Sequence, residues 1–246
     1  MSTPPLFFVE HLPAGDRLRL DGPEGRHAAR VKRLTVGERL RVADGLGAVA
    51  DCAVIQVLAD GLELEVIAWG SVEPPQPYLV VVQALAKGDR AELAVELSTE
   101  LGADEIVPWA ASRSIVQWQD QRVSKGLDRW RRTARESAKQ SRRPRVPIVS
   151  DLASTADVVA RIGTGRGLVL HEGAGQPLAG ASLPASGEIV VVVGPEGGVS
   201  DDELGAFAGA GASLVRLGEP VLRTSTAGAA ALAVLSVRVG RWSGGG

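Results

Sequence analysis

Cysteine is nearly absent: Cys52 is the single one in 246 residues. No internal disulfide framework can form, and the chain fits a reducing compartment. Histidines number three, too few beside one cysteine for a dedicated transition-metal site, so no metal is expected. Long apolar runs are missing too. The longest, Thr226–Val237, spans twelve residues between Arg223 and Arg238, whereas a bilayer span needs roughly 20. It reads as a buried helix, with no membrane partner. The opening "MSTPPLFFVEHLPAG" has no basic n-region and too short an apolar run for a secretory signal. These absences point to a cytoplasmic protein. What remains is ordinary for a globular chain, 45% apolar and 23% charged, with length for one large domain or two modest ones.

A net charge of −2 hides a split. Between Arg122 and Arg145 ten Lys/Arg face only Asp128 and Glu136, a net of +8 in "RVSKGLDRWRRTARESAKQSRRPR". Local charge governs encounter with a polyanion. Two acids among ten bases do not resemble the interleaved pairs of a solvated helix, so a phosphate-rich partner such as RNA is expected there.

Two modules are legible. Residues 1–72 read as all-β, from "DRLRL", "ERLRVADG", "AVADCAVIQVLAD" and "LELEVIAW", which alternate between Gly/Asp corners. Their size and spacing suggest a small barrel, with a short basic helix or turn from His27 to Arg33. "SVEPPQP", at 71–77, is the linker. Residues 73–246 read as β/α. "YLVVVQALAK" is a strand covered on both faces. "DRAELAVELSTELG" is a helix with Leu93, Leu97 and Leu101 on one side and Gly102 at its end. "DEIVPW" and "SIVQW" read as further strands and 121–141 as a basic helix. A weaker helix near 155–162 precedes the strands "GLVLHE", "EIVVVVG" and "SLVRLG". This alternation implies a largely parallel sheet with helices on both sides. The only low-complexity tract is the terminal "SGGG".

Three strand ends carry the candidate chemistry: "LVLHEGAG" (168–175), "VVVGPEGGVS" (191–200) and "VRLGEPVLRTSTAG" (215–228). In an open parallel sheet, ligands bind outside the carboxyl ends of the strands. Gly194, Gly197 and Gly198 allow close backbone approach, and Ser200 with Glu203 forms a capping box that opens a helix. A phosphate loop would need a lysine after its last glycine, but Val199 and Ser200 stand there. The dinucleotide fingerprint cannot be laid over "GPEGGV", and "GTGRG" precedes a strand instead of following one. Asp201, Asp202 and Glu203 would repel a polyphosphate. The corner therefore suits a ligand neutral or positive at its reactive end, such as the sulfonium S-adenosylmethionine.

The tail "LGEPVLRTSTAGAAAL" with "GPEGGVSDDEL" resembles the SPOUT superfamily of RNA methyltransferases, and within it the ribosomal RNA small-subunit methyltransferase E group. "RHAARVKRLTVGE", "KGDRAELAVELSTELGADEIVPWAASRS", "RWRRTARESAKQSRRPRVP" and "LHEGAG" follow in the same order along nearly the full length. The resemblance implies a PUA-like β-barrel, then a domain threaded as a deep trefoil knot over about 168–240. It also implies a homodimer and methylation of N3 of a uridine in 16S ribosomal RNA, free or within the 30S subunit, with S-adenosylmethionine as donor. Carried over by position, the cofactor loops are Leu170, His171 and Glu172; Gly194, Pro195, Glu196, Gly197 and Gly198; and Leu217, Gly218, Val221, Leu222 and Thr224, with Arg223 beside them. Two positions depart from the family: Ser225 stands where a glutamate is frequent, and Glu219 where a basic residue is common. No carboxylate is available at 225.

Uracil N3 lies on the Watson–Crick edge, so the base must be unpaired or extruded before reaction. As its proton leaves, charge spreads onto O2 and O4, and Arg223 is the expected catalytic donor to that charge. Glu172, Glu196 and water remain open as base. RNA contacts are expected from Arg129, Arg131, Arg132, Arg135, Arg142, Arg143 and Arg145, plus Arg30, Lys32 and Arg33 of the barrel. Such contacts position the RNA backbone without reading sequence. Trp130 is expected in the core, with base stacking as the alternative, and Cys52 as an inert strand residue. Competing readings are a SPOUT enzyme acting on ribose or guanine, a non-catalytic RNA-binding module, and a phosphate-loop enzyme.

Overall fold

The structure, a computed structural model, describes residues 4–242; the terminal "SGGG" lies outside them. The chain forms two compact units, one of residues up to Pro74 together with Ala138–Val146, the other of Pro75–Ser137 and Pro147 onward.

The first unit holds β1 (Leu6–Phe8), β2 (Arg17–Leu20), α1 (Gly22–Arg26), β3 (Arg39–Ala43), β4 (Ala48–Val57) and β5 (Leu62–Ser71). A π-helical turn, His27–Val31, runs on directly from α1. The helix thus starts five residues before the expected His27, because Pro23 just inside its start suits a helix entry. Strand order is β1-β3-β4-β5-β2, with β1 parallel to β3 and the other pairs antiparallel. Flat, the two edge strands would lie roughly 19 Å apart. Yet Phe7 of β1 and Leu18 and Leu20 of β2 share one core cluster with Leu40, Val54, Leu62 and Leu64, so the sheet curls around that core as a small barrel does. Cys52 lies in this core; burial first, then the charge of Asp51, pushes its thiol up to about 11, and it stays inert at neutral pH.

The segment Ala138–Val146 belongs to this unit, which no local signal announced. Ala138 and Val146 pack with Leu6, Phe8, Ala43 and Val49, and the Lys139 ammonium lies 2.7 Å from Glu24 Oε1.

In the second unit the elements are β6 (Tyr78–Ala84), α2 (Arg90–Glu100), β7 (Glu105–Trp109), α3 (Gln121–Gln140, its end shared with the first unit), β8 (Ile148–Val149), α4 (Thr155–Thr164), β9 (Arg166–Leu170), β10 (Gln176–Pro177), β11 (Glu188–Val193), α5 (Asp201–Gly209), β12 (Ser213–Arg216) and α6 (Thr224–Arg238). Among the described residues they form one sheet in the order β10-β12-β9-β11-β6-β7-β8, every pair parallel. The core strands β6 and β11 are buried on both faces, as their unbroken valine runs require. Val80, Val82 and Val192 pack with Val158 and Ile162 of α4 and Phe207 of α5. On the opposite face α6 lies close because it is built of small residues: a Cβ on Gly228 would stand 3.3 Å from Val193 and 3.4 Å from Val81.

Two expectations about this unit change. "SIVQW" (114–118) is a loop, not a strand: Trp118 turns edge-on to Trp130, ring centroids 5.4 Å apart, and side-chain packing replaces ladder pairing. On α2 the buried face is Ala91, Ala94, Val95, Ser98 and Thr99, the small residues that let it approach its neighbours. Leu93 is exposed, and Leu97 and Leu101 are half-buried. Trp130 is fully buried, as expected of a core residue, and the base-stacking alternative falls away. Among the described residues no helix is long and apolar enough to cross a membrane.

Candidate active site

The carboxyl ends of β9, β11 and β12 open onto one cavity of about 540 Å³. Its wall includes Leu170, His171 and Glu172 from the first loop, Gly194, Pro195, Glu196, Gly197 and Gly198 from the second, and Leu217, Gly218, Val221, Leu222, Arg223 and Thr224 from the third. Residues separated by as many as 54 positions thus meet because β11 inserts between β9 and β6, with β12 on the far side of β9.

Hydrogen bonds within and between the loops hold them. The His171 N–H donates to the Val215 carbonyl at 3.0 Å, and the Gly173 N–H donates to His171 Nδ1 at 3.1 Å. The imidazole therefore folds its own loop. In the glycine corner the Gly198 N–H donates to the Pro195 carbonyl at 2.9 Å, and Gly198 holds φ +73°, a conformation that favours glycine. The third loop ends at α6, where Thr224 donates to the Gly194 carbonyl at 2.7 Å and accepts from Gln83 Nε2 at 3.0 Å.

The capping box closes on both sides: the Glu203 N–H donates to Ser200 Oγ at 3.3 Å, and the Ser200 N–H donates to Glu203 Oε2 at 3.0 Å. Glu203 reaches further than a cap does, accepting from the Ser112 N–H at 2.8 Å and the Thr155 hydroxyl at 3.2 Å. Burial acts to raise its pKa, but the Ser112 and Ser200 hydrogen bonds outweigh it and hold the carboxyl below the usual carboxylate range.

Arg223 caps α6 through its carbonyl, which accepts from the Thr226 and Ala227 N–H groups, both at 2.9 Å. Its exposed guanidinium makes no hydrogen bond or ion pair to the described residues and lines the cavity. Glu172 is exposed and equally unengaged. Glu196 accepts from the Lys87 N–H at 3.4 Å and lies 3.7 Å from Arg90. Ser225 points inward, 3% exposed, away from the cavity wall.

Sequence reasoning missed four wall residues with chemistry: Arg90, Arg113, Asp201 and Arg216. Asp201 and Arg216 lie within motifs already in view, though neither was assigned to the site. Arg90 and Arg113 belong to other strand ends, and only the sheet order could have found them.

The basic residues divide. Arg129 pairs with Glu92 at 2.7 Å and Arg131 with Asp151 at 3.2 Å. Arg145 donates to the Val72 carbonyl at 3.0 Å and to the Leu46 carbonyl, so it braces the barrel loops. Arg30 donates to the Ala59 carbonyl at 2.9 Å. Lys32, Arg33, Arg132 and Arg142 are exposed, while Arg135 and Arg143 are half-buried. Among the described residues no group of three or more His, Cys, Asp or Glu side chains comes together to hold a metal ion.

Comparison with known proteins gives the lineage of this arrangement. The family model of the RNA methyltransferase domain matches residues 73–236, and that of the RNA methyltransferase PUA domain matches 20–67. The chain is 46% identical to a ribosomal RNA small subunit methyltransferase E of Mycobacterium bovis, over 96% of this chain and 93% of that one. It is 31% identical to the protein of that name from Bacillus subtilis, over 88% of each. The fold matches the crystal structure of a ribosomal RNA small subunit methyltransferase E from Neisseria gonorrhoeae bound to S-adenosyl methionine. That match has a TM-score of 0.84 and 28% identity and covers 96% of this chain and 98% of the other. The chain belongs to the ribosomal RNA small subunit methyltransferase E family.

Proposed function

We propose that the protein transfers a methyl group from S-adenosylmethionine to N3 of a uridine in 16S ribosomal RNA. The carrying observation is the convergence of three backbone loops on one cavity with the unengaged guanidinium of Arg223 in its wall.

The cavity suits this donor. Its volume of about 540 Å³ falls in the roughly 300–1,000 Å³ range of small-molecule pockets. Glu172, Glu196 and Asp201 offer carboxylates to a sulfonium, and the glycines of the second loop let the backbone approach a ligand closely. When bound, S-adenosylmethionine supplies the methyl carbon, which passes from sulfur to N3 as the carbon–sulfur bond breaks. The loops hold the two reactants in line, a contribution of orientation. Glu172, free of partners, takes the N3 proton directly or through water, whereas Glu196 is drawn toward Arg90. Arg223 stabilises the charge that develops on the uracil oxygens.

RNA is held by the exposed cations of the barrel (1–72) and of α3 and the turn after it, including Lys32, Arg33, Arg132 and Arg142, with the substrate free or within the 30S subunit. Membership of the family supports a chain end threaded as a trefoil knot over about 168–240. The exposed Leu93 beside half-buried Leu97 and Leu101 supports a homodimer through α2, since such a stripe loses contact with water on pairing. A cytoplasmic location follows from this substrate.

The test is methylation of 16S RNA and of 30S subunits with labelled donor, followed by nucleoside mapping. Label in 3-methyluridine is expected. Label on ribose or guanine, or donor binding without transfer to either substrate, would overturn the reading.

A further inference from the structure

Methyl transfer needs two ligands in one cavity, and the sheet order gives this cavity two flanks. The loops after β9 and β12 lie on one side of the glycine corner and the loops after β6 and β7 on the other. The first flank carries the cofactor loops named above. The second carries Arg90 and Arg113.

Arg113 is set firmly at the backbone, and both arginines are held loosely at the guanidinium. A Cβ built on Gly197 would stand 3.0 Å from the Arg113 carbonyl oxygen and 3.2 Å from the Arg113 Cβ, so Gly197 is glycine where the loop after β7 presses on the corner. Ser112, one residue earlier, is tied to α5 through Glu203. The Arg113 head, in contrast, makes one long contact, donating to the Val199 carbonyl at 3.4 Å. Arg90 opens α2, and its guanidinium lies 3.7 Å from Glu196 Oε1, with the two side chains 48% and 22% exposed. Exposed pairs of this kind hold weakly, and an RNA backbone phosphate, a singly charged anion that accepts from both guanidinium groups at once, would displace them.

We infer that Arg90 and Arg113 form a phosphate cradle that grips the RNA backbone beside the methylated nucleotide; this rests on the methyl-transfer reading above. An extruded base carries its own flanking phosphates to the rim of the cavity, and cations on the flank opposite the donor loops meet them there. Glu196 holds Arg90 in place until the phosphate arrives. The cradle is separate from the cations on α3, which engage backbone further along the RNA.

The test measures affinity for a 16S RNA transcript across a potassium chloride series, using the full chain, Arg90→Gln, Arg113→Gln and the double variant. Donor affinity is read alongside by calorimetry. Each single-strand phosphate contact contributes roughly 0.7 to the slope of log affinity against log salt. The double variant should therefore lose about 1.4, with donor affinity unchanged and Arg113→Lys close to the native slope. An unchanged slope overturns the cradle, and so does a donor affinity that falls while the slope stays. Because the slope needs no turnover, it is read independently of whether the native protein methylates the RNA.

Discussion

The Thr224 hydroxyl donates to the Gly194 carbonyl at 2.7 Å, joining the start of α6 to the glycine corner. It also accepts from Gln83 Nε2 at 3.0 Å. Gln83 is 1% exposed, and its Oε1 has no partner among the described residues, so the amide depends on Thr224 for one of its few contacts. Thr224→Val keeps the shape and removes the bridge. Stranding buried polar groups should cost about 1–3 kcal/mol, read by urea unfolding, and a loss of about 1.4 kcal/mol in donor binding would weaken Kd tenfold. Native stability and native donor affinity in the variant would show that the two loops are joined by other means.

Arg223 offers a sharper separation. Its carbonyl caps α6 and any residue can supply that, while its guanidinium is unengaged. Arg223→Ala should therefore fold with native melting behaviour and bind donor as before. Its kcat should fall about 10²–10³-fold, the loss typical of removing one donor to a developing oxyanion. Arg223→Lys should recover part of it, as it keeps the charge without the planar fork. Single-turnover rates at saturating donor check this.

How much of this was legible depended on distance along the chain. Ser200 and Glu203 are three residues apart, so their capping box could be read from sequence, as could the helices of α3 and α6. The two-residue strands β8 and β10 carry too little pattern to see. "SIVQW" alternates like a strand, but Trp118 is claimed by Trp130 and by Gly126, where a Cβ would stand 2.6 Å from the indole. The leucines of α2 looked like a core stripe, yet small residues won the buried face because close helix packing demands them. The cofactor loops were found through motif resemblance. Arg90 and Arg113 were not, since nothing local ties them to a corner about a hundred residues away.

Acid should weaken the second unit through two carboxylates. Arg161 binds Glu105 at 2.5 and 2.7 Å and Glu188 at 2.9 Å. Burial alone would raise the Glu105 pKa, but hydrogen bonds from Arg161 and Ser150 reverse the sign and hold it below the usual range; Glu203 is lowered as well. A lowered folded pKa gives stability that is complete above the unfolded value of about 4.3 and is lost as pH falls through the folded value. Arg161→Met should cost about 3 kcal/mol at neutral pH, because it leaves Glu105 buried without its cation. The deficit should shrink toward pH 4 as the variant's Glu105 protonates. Urea unfolding of both proteins from pH 7 to pH 4 checks the convergence, and a deficit independent of pH would mean that packing around Arg161 matters more than its charge.

Arg132 and Arg145 lie thirteen residues apart in the same basic stretch, and the structure gives them opposite tasks. Arg145 donates to the Leu46 and Val72 carbonyls, and a Cβ on Gly47 would collide with its guanidinium, so the barrel loops are built around it. Arg145→Ala removes donors from two carbonyls and should lower stability by about 1–3 kcal/mol. Any change in RNA affinity should then follow the loss of folded protein. Arg132 is exposed and makes no ion pair to the described residues, so Arg132→Ala should leave the melting temperature alone. It should reduce the RNA salt slope by about 0.7–0.9 if its phosphate contact is made. Melting curves and salt titrations of the two variants, run together, separate a brace from a contact. Equal effects on both readouts would show that the basic stretch acts as undivided surface charge.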